Sequence, residues 1–165
     1  MTPDGIGVPP EIDYPQASPG AARAMAALEQ YVRGSGLERP LLELVKIRAS
    51  QINGCGYCLD MHTKDARAAG ETEQRIYLLS AWREAPLYTP RERAAMAWTE
   101  ALTAIAGAGV SRELRESVRR EFTDKELVDL TMAVIAINGW NRLAIGFAVE
   151  PGDRKSTRLN SSHTS

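Results

Sequence analysis

Cysteine and histidine are scarce in this chain, with two of each in 165 residues. So few cysteines rule out a disulfide-stapled scaffold. No run of apolar residues approaches the roughly 18 needed for a membrane-spanning helix, so no membrane partner is expected. Neither sign of charge dominates. A net charge of −1 gives no basic field to draw nucleic acid or an anionic lipid surface. The Pro- and Gly-rich stretch Met1 to Pro19 lacks the basic start and apolar core of a secretion signal. The expected compartment is therefore the cytoplasm, where a lone close cysteine pair points to catalysis or metal binding. Convincing apolar–polar alternation is also missing, so strands are not expected.

What the chain does have is helical punctuation. Residues 1–19 read as an extended arm, ending at Ser18-Pro19, a cap and first-turn signal. A helix is expected from about Gly20 to Arg33, stopped by Gly34-Ser35-Gly36. A second, strongly apolar helix begins near Glu38 or Pro40 and breaks at Asn53-Gly54. A third opens at the cysteine pair and closes at Gly70. Thr72 caps a fourth that carries Ile76, Leu79 and Trp82. Thr89-Pro90-Arg91-Glu92 is a capping box that starts a fifth, running toward Ile105. Ser111 caps a sixth, and a second box at Thr123 to Glu126 launches a long apolar helix toward Phe147. The expected fold class is all-α, with six to seven helices in one domain over 20–152. Asp153 to Ser165 resembles an in-frame translation of a common sequencing-library adapter and is set aside, so the natural end of the chain is expected to differ. His62 is then the one histidine left. The apolar helices over 41–52 and 127–147 suit either a central core position or burial in a homo-oligomer.

The scarce reactive residues gather in one place. Cys55, Cys58 and His62 lie within Asn53 to His62, and Glu43 precedes Cys55 by a dozen positions. On a helix, residues three and four apart share a face, so both sulfurs and the imidazole fall on one stripe. A first-turn cysteine faces free backbone N–H groups and the positive end of the helix dipole, which favours the thiolate. Two cysteines at this spacing can close a disulfide after modest adjustment. His62 can accept a proton from Cys58 as a general base. If the two helices form a hairpin across Asn53-Gly54, Glu43 folds back beside His62 and orients it. A carboxylate in an otherwise apolar helix needs such a partner. A zinc site built on Cys55, Cys58 and His62 would need Glu43 or a second subunit for its fourth ligand.

Glu43, Cys55, Cys58 and His62, with the flanks Leu44 to Gly54 and Thr63 to Arg67 and a further stretch from Asn138 to Ile145, resemble the alkylhydroperoxidase D family, a relative of carboxymuconolactone decarboxylase. The similarity covers roughly residues 20–150. It implies an all-α fold that assembles into dimers, trimers or hexamers, and a peroxidase cycle that needs no bound cofactor and no metal. By that resemblance Cys58 is the peroxidatic thiol, Cys55 the resolving thiol, and His62 with Glu43 the proton relay. The implied partners are a peroxide substrate and a dithiol electron donor, such as a lipoyl-bearing protein. One position departs from the family pattern: Tyr57 stands where the characterised peroxidase has a histidine between its cysteines. Packing is the expected use of that ring. Two other functions fit part of the pattern. A lactone decarboxylase or isomerase would use Glu43 and His62 as base and acid and would need no thiol. A non-catalytic redox sensor or metal-binding module would oxidise or bind without turnover.

Overall fold

The structure, a computed structural model, describes residues 12–152, and every regular element among them is helical. The tail at 153–165 and residues 1–11 of the expected arm lie outside the described residues. The described part of that arm is not extended. It forms a single turn, α1 (Tyr14–Ala17), started by the Asp13 side chain, which accepts from the Gln16 N–H at 3.4 Å. α2 (Pro19–Arg33) follows at once. Ser18 occupies its N-cap position without a side-chain cap bond, and its N–H closes α1 on the Tyr14 carbonyl at 2.9 Å.

α3 (Arg39–Asn53) and α4 (Gly56–Ala68) form the expected hairpin. Gly54 makes it possible. Its φ of +70° is the left-handed cap that ends α3, a conformation costly for a residue with a Cβ. α5 (Glu73–Tyr77) is shorter than expected and gives way to a 3₁₀ turn over Leu79–Ala81. The irregular chain beyond that turn is held by Arg93, whose guanidinium takes the carbonyls of Trp82, Arg83 and Ala85. Those carbonyls are thereby satisfied without a continuing helix, while Leu79 and Trp82 still turn into the core. α6 (Pro90–Thr103), α7 (Arg112–Glu121) and α8 (Asp124–Gly146) complete the fold. Both capping boxes form as read, at Thr89 with Glu92 and at Thr123 with Glu126.

α3 is the central helix and packs against α4, α6 and α8. Leu44, Val45 and Ile47 are fully buried there. Each contributes about 2 kcal/mol by burial, so the apolar character of α3 is accounted for within the chain. α8 divides differently. Leu130, Val134 and Ile137 face inward, whereas Val128, Ile135 and Ile145 stay exposed. α2 crosses α8 closely at Gly139, where a Cβ would meet the Met25 Cε at 2.9 Å. Among the described residues no helix is long and apolar enough to cross a membrane.

Candidate active site

The site is built where the α3–α4 hairpin meets α8. Cys55 is the N-cap of α4, and its sulfur accepts the Cys58 N–H at 3.4 Å. This places both sulfurs in the first turn, as the sequence spacing requires. Both cysteines are free and buried, at 0% and 1% exposure. They belong to a small apolar cluster with Ala49, Ile137 and Ala144, against which Tyr57, Trp140 and Val149 pack. Tyr57 thus sits at the thiols as a packing ring. The chain beyond α8 covers this region. Pro151 lies 3.4 Å from where a Gly56 Cβ would be, and the Lys64 ammonium holds the Gly152 carbonyl at 3.2 Å.

His62 lies one turn beyond Cys58 on α4, and Glu43 reaches it from α3. The Glu43 Oε2 and His62 Nδ1 are 3.3 Å apart with both side chains buried. The two atoms are in close contact, yet the alignment is not that of a hydrogen bond, and neither atom has another hydrogen-bond partner. Behind it stands a cation. Lys46, one helical turn from Glu43, is 4% exposed; its Nζ lies 3.9 Å from the Glu43 Oε1 and 2.7 Å from the Glu29 Oε1 on α2. Glu29 also accepts from the Trp140 indole at 3.3 Å and faces Arg33 at 3.4 Å. Burial pushes both carboxyls toward the neutral form, but the cations win. His62, Lys46 and Arg39 hold Glu43 below its ordinary pKa, and Lys46, Arg33 and His62 do the same for Glu29.

On the other side of the sulfurs is an amide network. Asn141 is fully buried; its carbonyl accepts from the Asn53 amide at 2.9 Å and its own amide donates to the Ser50 hydroxyl at 3.0 Å. Asn53 also donates to Asn138 at 2.9 Å.

At Cys58 burial opposes the acidifying influence of the helix start. Burial first, then the Cys55 side chain beside it, push the Cys58 thiol up to about 12, while the Asn141 amide and a backbone N–H pull the other way. Desolvation of the charged form outweighs the dipole of a short helix. Tyr14 on α1 is drawn into the same neighbourhood: burial, then Tyr57 and Cys58, hold its phenol above the ordinary value. The resting Cys58 is therefore protonated, and both thiols are closed over. In the native protein at pH 7.5, iodoacetamide should label the two cysteines at least about tenfold more slowly than in denaturant. Equal rates, read by mass spectrometry, would contradict the burial.

The structure pairs Cys55 with Cys58 in the first turn of α4 and Glu43 with His62 across the hairpin, with His62 one turn beyond Cys58 on the same helix. Lys46, Glu29, Asn141 and Tyr14 were missed. Lys46 carried a legible signal, a cation one turn after Glu43 in an apolar helix. The other three depend on packing between elements distant in sequence. Among the described residues no group of three or more His, Cys, Asp or Glu side chains is arranged to hold a metal ion.

Comparison with known proteins agrees with this architecture. Residues 19–101 match the family model of the carboxymuconolactone decarboxylase family. An uncharacterized protein of Bacillus subtilis strain 168, YdfG, is 44% identical over 134 residues, covering 81% of this chain and 91% of that protein. A protein of unknown function from Agrobacterium tumefaciens, ATU0492, proposed to be the antioxidant defence protein AhpD, superposes with a TM-score of 0.85. It is 48% identical, and the match covers 88% of this chain and 99% of that one. An uncharacterized peroxidase-related protein from Silicibacter sp. TM1040 gives a TM-score of 0.70 at 26% identity, covering 79% of this chain and 69% of that one.

Proposed function

The chain belongs to the carboxymuconolactone decarboxylase family, and from that premise we propose that it is a thiol-dependent peroxidase that reduces organic hydroperoxides through Cys55 and Cys58. The observation that carries this reading is the juxtaposition of two free thiols in one helical turn with a buried Glu43–His62 pair one turn away. A lactone decarboxylase would need the acid–base pair alone. The descriptions of the Agrobacterium and Silicibacter proteins, antioxidant defence and peroxidase-related, support the same class.

The cycle runs as follows. With Nδ1 facing Glu43, the other imidazole nitrogen is left to take the Cys58 proton. The resulting thiolate attacks the outer peroxide oxygen, the O–O bond breaks, and the alkoxide leaves as an alcohol with the proton held by His62. Cys58 is now a sulfenic acid. The Cys55 sulfur attacks it, the S–S bond forms, and water departs. A dithiol donor, such as a lipoyl-bearing protein, reduces the disulfide by exchange and becomes oxidised itself. The glutamate keeps the imidazolium oriented through the cycle, as the acid of a catalytic triad does. Self-association is part of this reading, supported by the exposed apolar stripe of Val128, Ile135 and Ile145 on α8.

The test is direct. The full chain is incubated with cumene hydroperoxide and dihydrolipoamide, and peroxide loss and protein thiols are followed together. Catalytic peroxide loss is expected, with two thiols per chain disappearing when the donor is withheld. Stoichiometric oxidation without turnover would make the chain a redox sensor instead.

A further inference from the structure

Outside the four residues above, buried charge stands at Asp129, which is held by Lys125 and Tyr31 at the surface of α8, and at Lys46, which belongs to one short series. Glu29 on α2 binds Lys46 on α3 at 2.7 Å, Lys46 faces Glu43 at 3.9 Å, and Glu43 meets His62 at 3.3 Å. Three charged side chains of alternating sign, from two helices, thus lead from the edge of the core to the imidazole on a third. The series has a physical cost. An ammonium withdrawn from water is retained only if carboxylates compensate it, and replacing such a group by an apolar one can be neutral for stability. A lysine at this position does nothing that packing alone requires, since Leu42, Val45 and Ile47 around it are plain apolar residues. Its distinctive property is its charge, and that charge is aimed at Glu43.

We propose that Lys46, backed by Glu29, is a positioning residue that sets how readily the Glu43–His62 pair takes up a proton, and so when Cys58 becomes reactive. Carboxylate charge beside an imidazole favours its protonated form, and a cation beside that carboxylate opposes the effect. Lys46 cancels part of Glu43 and leaves the imidazole free to act as a base. Glu29 moderates Lys46 in turn, since it holds the ammonium closer than Glu43 does. The mutual influence of Glu29 and His62 is direct enough that His62 contributes to holding Glu29 ionised. The other groups facing the pair do not duplicate this role. Arg33 on α2 lies against Glu29, Arg39 acts on Glu43 from the start of α3, and Cys55, Tyr57 and Cys58 on α4 with Tyr14 on α1 surround the thiol. α8 brings the neutral donors Trp140 and Asn141.

This inference rests on the thiol reading above but is measured without peroxide. The rate of Cys58 alkylation by iodoacetamide is followed against pH in the full chain, with peptide mass spectrometry to separate Cys58 from Cys55. Lys46→Met removes a positive charge and should move the acid limb of that profile upward by about one pH unit. Glu29→Gln removes a negative charge and should move it downward. The double variant should return toward wild type, and Lys46→Arg should keep the wild-type profile. A purely structural role would give shifts of one sign or none, and either result overturns the proposal. If Lys46→Met does not fold, Glu29→Gln decides alone: a downward shift supports the proposal and an unmoved limb overturns it. Opposite shifts in a protein that never turns over peroxide would keep the inference and remove the peroxidase reading. Turnover with unmoved limbs would do the reverse.

Discussion

Replacing Cys58 with serine should lower hydroperoxide turnover on the order of a thousandfold or more, whereas Cys55→Ser should consume one peroxide per chain and then stop. The asymmetry follows from the electron count. The first half-reaction needs one sulfur, which takes the outer oxygen and becomes a sulfenic acid as the alkoxide leaves, and a serine hydroxyl is far too weakly acidic to replace it. The second needs a neighbouring thiol to release water and form the disulfide. Without Cys55 the sulfenic acid has no partner within the turn. It should persist long enough to be captured as a dimedone adduct on Cys58. Rapid-quench kinetics and mass spectrometry of the two variants separate these outcomes.

The structure gives reasons on both sides of the role assignment, which makes the comparison decisive. Cys55 sits at the helix cap and its sulfur already accepts an N–H. Cys58 is the sulfur one turn from His62, and its thiol is pushed up to about 12 by burial. A thiol so weakly acidic is almost wholly protonated at neutral pH, so no standing thiolate awaits the substrate. The proton must leave when peroxide arrives, and among the described residues the buried Glu43–His62 pair, with its imidazole one turn from Cys58, is the base proposed to take it. His62→Ala should therefore fall between the two cysteine variants, about a hundredfold to ten-thousandfold below wild type. If Cys55→Ser proved dead and Cys58→Ser completed a single turnover, the roles would be exchanged. If both variants kept full turnover, thiol chemistry would be excluded.

Much of the fold could be read from short-range signals, because those signals act within one turn. The boxes at Thr89 and Thr123, the Ser111 cap and the Gly54 break each fix a helix end through backbone hydrogen bonds a few residues away. The stripe of Cys55, Cys58 and His62 is a consequence of helical period alone. The failures have the opposite character. The irregular chain after α5 is held by Arg93, a residue on the next helix that takes three of its carbonyls. The turn at Tyr14 depends on local capping by Asp13 in a stretch whose prolines suggested an extended path. The high pKa of Cys58 is a property of what covers it, Ile137 and Ala144 from α8 and Val149 beyond it, some eighty residues or more downstream. Lys46 was visible but uninterpretable until α2 supplied Glu29.

Asn141→Ala should destabilise the protein by about 2–3 kcal/mol and slow Cys58 labelling as well, and the pairing of these effects matters. The side chain is fully buried between α3 and α8, where it accepts from Asn53 and donates to Ser50. Truncation leaves one Asn53 N–H without its acceptor and opens a small void; an unmet buried donor costs about 1–3 kcal/mol, and the void adds to it. For a chain of this size the expected fall in Tm is roughly 5–10 °C. The same amide lowers the pKa of Cys58, so its loss makes the thiolate harder to form. Asn141→Asp separates the two roles. Its carboxyl can still accept from Asn53, but it replaces the donor with a group that is either anionic or must be neutralised by a proton. Labelling of Cys58 should then slow at least as much as in the alanine variant. Differential scanning calorimetry with alkylation at one pH reads both quantities. An alanine variant that melted at the wild-type temperature would mean that the Asn53–Asn141–Ser50 bonds contribute nothing to holding α8 against the thiols, and the placement of Cys58 would need another cause.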